Sequence, residues 1–286
     1  MNLKTIRQAL QAAQTNISQA CRLSDREARI EANALMKHAL QVNEAYLIAH
    51  DKEYLDPSRN QAFNALLERR LAGEPIAYIL GKREFYGLDL AVTPEVLIPR
   101  PETELLVDLS LERIPVNEPR DVLDLGTGSG AIALAIASER KLSHILAIDA
   151  SERALAVARE NASRLGLPNI EFRHGCWFEG LNDQRYDLLV ANPPYIPEQD
   201  PHLQQGDVRF EPRQALASGE DGLNDLRLII STAPHHLKSS GWLLVEHGYD
   251  QAEACRQQFQ LAGFTEIASI PDLAGKDRVT LGRISF

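Results

Sequence analysis

From Asp121 onward short apolar strands alternate with helices, and no other feature of the chain restricts its fold as strongly. Asp121–Leu125 reads as a strand, followed by glycines and a helical stretch from Ala131 to Arg140. His144–Asp149 is a second strand, with a helix from Ser151 to Leu165 behind it. Strands at Ile170–His174, Asp187–Asn192 and Trp242–Glu246 continue the series. Parallel neighbours need crossover connections, so this alternation predicts βαβ units and an α/β, doubly wound, mainly parallel sheet. The last two strands, Thr265–Ile270 and Arg278–Ile284, leave no room for a helix between them. A seven-stranded sheet closed by a terminal β-hairpin differs from a plain dinucleotide-binding fold.

The first part of the chain has another texture. Leu3, Ile6, Leu10 and Ala13 recur on one helix face, Ser24 and Asp25 precede Glu27 and an apolar-periodic run to Leu40, and Asn60–Leu71 repeats the pattern. Residues 1–73 are therefore expected to form a small helical bundle. Gly73-Glu-Pro75 breaks it, and Arg83–Val92 reads as a hairpin turning near Gly87. The expected division is a helical domain at 1–73, a linker with a hairpin at 74–98 and a catalytic domain at 99–286. The 286 residues fit two domains at roughly 150 residues each.

Charge divides the same way. Residues 1–73 carry 10 Lys/Arg and 8 Asp/Glu, whereas residues 74–286 carry 20 and 32, so the second part holds a net −12 and the first +2. An acidic surface is a poor generic binder of nucleic acid, whose affinity depends on neutralised phosphates. Cys21, Cys176 and Cys255 are odd in number and include no CxxC pair, which speaks against a disulfide framework or a zinc site. His235-His236 reads as the exposed end of a helix, with no second ligand pair for a metal. The N-terminal residues lack a continuous apolar stretch, and Ala131–Ala137 is far short of the roughly 20 residues that span a bilayer. A cytoplasmic monomer without metal is expected.

Two motifs carry chemistry. Asp124-Leu-Gly-Thr-Gly-Ser-Gly130 lies between a strand and a helix, where glycines let the backbone turn tightly and approach a ligand. Asp149 ends the next strand, where a carboxylate can accept both hydroxyls of a ribose. The dinucleotide fingerprint would need glycine at Ala131, and Asp124 suits a cationic ligand better than a phosphate. S-adenosylmethionine, with its ammonium, sulfonium and ribose, is such a ligand.

Asn192-Pro-Pro-Tyr195 follows the strand Asp187–Ala191, at the carboxyl end where open α/β sheets bind ligands. A rigid turn explains Pro193 and Pro194 but not the residues flanking them. A planar amide or exocyclic amine is a weak nucleophile because its lone pair is delocalised. The Asn192 side-chain oxygen and the Pro193 carbonyl can accept its two N–H hydrogens, and Tyr195 can pack on the planar group. The gain is positioning and preorganised dipoles, with no strong base required. The two motifs together point to methylation of a planar nitrogen.

With these motifs the chain resembles the release factor glutamine methyltransferases, class I enzymes that use S-adenosylmethionine. The likeness extends to Pro75–Gly81, Ile98-Pro-Arg-Pro-Glu-Thr-Glu104, Glu211-Pro-Arg-Gln-Ala-Leu216, Asp221-Gly222 and Glu246-His-Gly248. Asn-Pro-Pro-Tyr alone is shared with adenine-N6 and guanine-N2 methyltransferases; the Ile98–Glu104 segment and the helical domain discriminate better. Glu220 stands where a second glycine before Asp221 is more usual.

The resemblance implies that Gly126, Thr127, Gly128, Ser129 and Gly130 wrap the methionine part of the cofactor. It also implies that Asp149 binds the ribose, that Trp177 lies by the adenine and that Asn192 touches cofactor as well as substrate. Asn192, Pro193, Pro194 and Tyr195 would hold the glutamine of the Gly-Gly-Gln motif of class I peptide chain release factors, giving N5-methylglutamine and S-adenosylhomocysteine. The residues alone leave Trp177 equally suited to a core position, Glu246 structural and Arg100 part of a rigid linker. Competing readings are a nucleic-acid base methyltransferase, a non-catalytic binding module and a nucleotide-dependent oxidoreductase. Intact Asn192–Tyr195 disfavours the second, and Ala131 with the terminal hairpin the third. Neither membrane nor direct nucleic-acid binding is expected.

Overall fold

In the computed structural model, which describes residues 4–285, each of the first two helices opens with a reciprocal cap. The Thr5 side chain accepts from the Gln8 backbone N–H while the Gln8 side chain accepts from that of Thr5, starting α1 (Ile6–Cys21). Ser24 and Glu27 repeat the arrangement for α2 (Asp25–Leu40). Such pairs satisfy first-turn N–H groups that have no intrahelical partner. Ser24→Ala should therefore lower stability by about 1 kcal/mol, read as a reduced urea midpoint at unchanged m-value.

Three helices follow: α3 (Glu44–Ala49), α4 (Pro57–Leu71) and α5 (Ile76–Leu80). Ile17, Leu35, Met36 and Phe63 are buried at their centre, with Ile6 and Ala13 from the apolar face of α1. Leu3, which the spacing assigns to that face, lies outside the described residues. Arg70 on α4 is buried as well; it pairs with Glu31 of α2 at 2.7 Å and with Asp207 at 3.0 Å. Asp207 arrives from far along the chain, for the first compact unit comprises residues 1–81 together with 204–210. Its limit falls beyond Gly73 because Pro75, with φ fixed at −56°, starts the turn of α5 instead of ending the helical region.

The second unit, residues 82–203 and 211–286, begins with an antiparallel hairpin of β1 (Lys82–Phe85) and β2 (Leu88–Ala91). Its two-residue turn, Tyr86-Gly87, has both φ values positive, the geometry that matches the twist of paired strands. After α6 (Glu104–Arg113) comes β3 (Asp121–Leu125), then α7 (Ala131–Glu139), β4 (His144–Asp149), α8 (Glu152–Leu165), β5 (Ile170–His174) and β6 (Tyr186–Ala191). The chain continues through α9 (Asn224–Thr232), β7 (Leu237–Glu246), α10 (Ala252–Leu261), β8 (Phe264–Pro271) and β9 (Asp277–Ile284). The sheet order is β5-β4-β3-β6-β7-β9-β8, parallel through β7 and antiparallel at β9 and β8.

Alternate residues of β3 and β6 enter different cores. Val122, Leu188 and Val190 join one face, and Leu123, Leu125, Leu189 and Ala191 the other. Strands covered on both faces are predominantly apolar, which is why they stand out in the sequence. The whole run Ala131–Ala137 of α7 is buried, as a helix apolar on all sides must be.

Two details differ from expectation. β7 starts at Leu237, five residues before Trp242, with a register shift opposite Tyr186 and Leu188. His236 is buried and stacks on Phe178 at 4.8 Å, so of the histidine pair only His235 is exposed. No helix of the described residues is long and apolar enough to cross a membrane.

Candidate functional site

β3 is flanked by β4 on one side and β6 on the other, so successive crossovers leave the sheet in opposite directions there. In open α/β sheets a crevice forms at such a point, beyond the carboxyl ends of the strands. A cavity of about 250 Å³ lies there, lined by Gly126, Gly128, Asp149, Trp177, Asn192 and Pro194, together with Asp225, Gln214 and Glu95.

The loop leaving β3 turns through Gly126 and Gly128 at φ of +75° and +56°, left-handed values that a side chain makes costly. A Cβ on Gly126 would come within 3.1 Å of the Trp177 ring, whereas one on Gly128 would meet nothing within 4 Å. The Gly128 N–H instead donates to Asp149 Oδ2 at 2.8 Å, and the Ser151 N–H donates to Oδ1 at 2.8 Å. Each carboxylate oxygen is thus fixed by one backbone donor and retains acceptor capacity. Burial pushes the Asp149 pKa up, against the lowering effect of these two bonds.

Trp177 has two faces. It packs against the apolar core and also forms cavity wall. Its indole N–H donates to Asp225 Oδ1 at 3.1 Å, and Ser218 Oγ donates to the other Asp225 oxygen at 2.6 Å. Asp225 in the first turn of α9 carries no sequence signal beyond a helix start, and only the fold brings it to the indole.

Five expected site residues stand off the cavity wall. Thr127 is buried and donates its hydroxyl to Asp124 Oδ2 at 2.6 Å. Ser129 is buried, its carbonyl accepting from Asn161 Nδ2 at 3.0 Å, and Gly130 is the residue preceding α7. Asn161 also bonds both backbone groups of Ala91, tying the hairpin to the glycine loop. Pro193 is buried, and the Tyr195 hydroxyl is turned away toward Glu246 at 3.3 Å.

Asp124 lies wholly buried behind the loop, one oxygen on Thr127 and the other without a hydrogen-bond partner. Burial pushes its pKa up to about 7. A raised folded-state pKa means stability is full below the unfolded value of 3.8 and is lost as pH rises through about 7. Asp124→Asn should flatten this fall. The wild type should lose up to about 4 kcal/mol between pH 4 and 8 that the variant keeps, seen in paired thermal melts across that range.

Asn192 immediately follows β6. Its Nδ2 donates to Thr103 Oγ1 at 3.2 Å, and its Oδ1 accepts no hydrogen bond among the described residues. Thr103 belongs to a single 3₁₀ turn, Pro101–Thr103, and is buried. Arg100, just before it, pairs with the buried Glu211, which also accepts from the Ile98 N–H at 3.1 Å. The segment before α6 is thereby pinned beside the Asn192 loop, more than the rigid linker its prolines indicate. No group of three His, Cys, Asp or Glu among the described residues could hold a metal.

Two family models match the chain, the PrmC N-terminal domain over residues 8–81 and the methyltransferase small domain over residues 103–209. A release factor glutamine methyltransferase of Xylella fastidiosa is 49% identical over 91% of this chain and 94% of its own length. One from Vibrio cholerae is 48% identical over 98% and 96%. The chain belongs to the release factor glutamine methyltransferase family. A crystal structure of a methyltransferase from Pyrococcus furiosus shares the fold, at TM-score 0.53 and 16% identity over 79% of this chain and 99% of that one. The class I fold and the family imply use of S-adenosylmethionine. The cavity is lined by the glycine loop after β3, the carboxylate that ends β4 and the asparagine that follows β6.

Proposed function

We propose that this chain transfers the methyl group of S-adenosylmethionine to the side-chain amide nitrogen of the glutamine in the Gly-Gly-Gln motif of class I peptide chain release factors. The observation carrying the proposal is that Asn192 lines the same cavity as Gly126, Gly128 and Asp149, with its amide oxygen unengaged.

The residues present fit the cofactor. Gly128 leaves open space where a side chain would stand, suiting close approach of the methionine part. Asp149 keeps acceptor capacity for a ribose diol, and Trp177 offers an aromatic face braced by Asp225. When bound, S-adenosylmethionine supplies an electrophilic methyl on a sulfonium. Thr127, Ser129 and Gly130 support that loop from behind.

Everything else rests on positioning. Asn192 Oδ1 and the Pro193 carbonyl accept the two N–H hydrogens of the glutamine amide, which holds the nitrogen toward the cavity and favours pyramidalisation. Pro193 and Pro194 fix the backbone between the contacts, and Tyr195 closes the far side. The proton leaves to solvent, as no general base is evident in the sequence.

Incubation with labelled S-adenosylmethionine and, separately, release factors or RNA tests the reading. Mass spectrometry should find N5-methylglutamine in the Gly-Gly-Gln motif; a methyl found only on an RNA base would replace the reading with a base methyltransferase. Asp149→Ala should raise the Kd for S-adenosylmethionine by about 30-fold in calorimetry, because a charge-assisted pair of ribose bonds is worth roughly 2 kcal/mol.

A further inference from the structure

β6 and β7 run parallel with Ala191 opposite Val245, so the next residues, Asn192 and Glu246, emerge side by side at the carboxyl edge. Glu246 is buried, and its Oε1 accepts the Tyr195 hydroxyl at 3.3 Å. Its Oε2 is buried without a hydrogen-bond partner, and the Thr103 hydroxyl faces the carboxyl group; burial pushes the Glu246 pKa up to about 7, and Thr103 draws it back only in part. Thr103 Oγ1 in turn accepts from Asn192 Nδ2 at 3.2 Å. One carboxyl group therefore meets both ends of Asn192–Tyr195, directly at the tyrosine and through a single hydroxyl at the asparagine.

A hydroxyl has one hydrogen, and the direction it takes decides the rest. Once Glu246 is ionised, its unsatisfied buried oxygen is the most demanding acceptor nearby. With its hydrogen given to Glu246, Thr103 can only accept from Asn192, which must present its NH₂. The amide oxygen of Asn192 is then turned outward, the orientation a substrate amide needs. Were the Thr103 hydrogen free, the Asn192 amide could flip and offer donors to donors.

We propose that Glu246 and Thr103 are positioning residues for methyl transfer, setting which end of the Asn192 amide faces the substrate and holding Tyr195 in place. The inference rests on the glutamine-methylation reading above. Neither residue lines the cofactor cavity, so both act through Asn192 and Tyr195.

The test is steady-state methylation of a release factor by the full-length protein, with S-adenosylmethionine affinity measured in parallel. Thr103→Val keeps the shape and removes the hydroxyl; kcat should fall about 30-fold with cofactor Kd and release-factor KM within about twofold. Thr103→Ser, which restores the hydroxyl, should recover kcat to within about threefold of wild type. Glu246→Gln keeps the volume but presents an N–H to Thr103; it should lower kcat by at least about tenfold with the same unchanged KM. Wild-type kcat in both variants, a loss confined to KM or cofactor affinity, or failure of the serine to rescue would each overturn the proposal. A wild-type protein that methylates no release factor would instead overturn the underlying function.

Discussion

Asn192→Ala should lower kcat by about a thousandfold while leaving S-adenosylmethionine affinity within about threefold, because it deletes an acceptor that matters in the transition state and little in the ground state. A glutamine amide is planar, and its nitrogen becomes nucleophilic only as that planarity is lost. A fixed acceptor strengthens its hold on the N–H as positive charge grows on nitrogen. Removing one such preorganised group costs roughly 3–4 kcal/mol. Other parts of the cavity lining come from other strands, with Gly126 after β3 and Asp149 at the end of β4, and the substitution leaves them in place. Calorimetry with S-adenosylmethionine and single-turnover methylation would separate the two effects. Turnover close to wild type would remove Asn192 from the mechanism.

The second large effect is on stability. Arg70→Met should destabilise the protein by about 3–5 kcal/mol, because it leaves a buried carboxylate unpaired. Glu31 is mostly buried, and burial raises its pKa even with the guanidinium beside it. Desolvation outweighs attraction at Glu31, whereas at Arg70 the carboxylates hold the guanidinium charged against its burial, so the two effects oppose and the pair contributes little by itself. The damage comes from breaking it. Adding Glu31→Leu to Arg70→Met should therefore recover most of the loss, a coupling that urea melts of the two single variants and the double variant would measure. Additive losses would contradict the account.

These residues also mark what a sequence can and cannot disclose. The strand–helix alternation is visible because β3, β4 and β6 are covered on both faces and are mostly apolar along their middles, Asp124 being the buried exception. Asp149 and Asn192 are legible for the same reason, as polar residues placed where apolar runs end. The Glu246 contact is not. It depends on β7 lying next to β6, and on a 3₁₀ turn from before β3 reaching both strands; pattern alone does not order strands in a sheet. Asp225 and Asn161 act on partners far along the chain, with no spacing to announce them. α3 has six residues, fewer than two turns, which is too short for a periodic signature. Pro75 misleads because proline both ends helices and starts them, and the context that decides lies in tertiary packing.

The seven residues Gln204–Phe210 give the protein an order of assembly. They follow Asn192–Tyr195 in sequence yet pack with helices built from the first 81 residues, and they bring Asp207 to Arg70. During synthesis the helical bundle is the first part to leave the ribosome, but it acquires its last ion pair only after more than two hundred residues have emerged. Helices close locally and fast, whereas this contact must wait for four strands of the sheet to be made. The bundle therefore begins folding first and is finished late, and a fragment ending at Gly81 would be born without the partner that Arg70 holds in the complete chain.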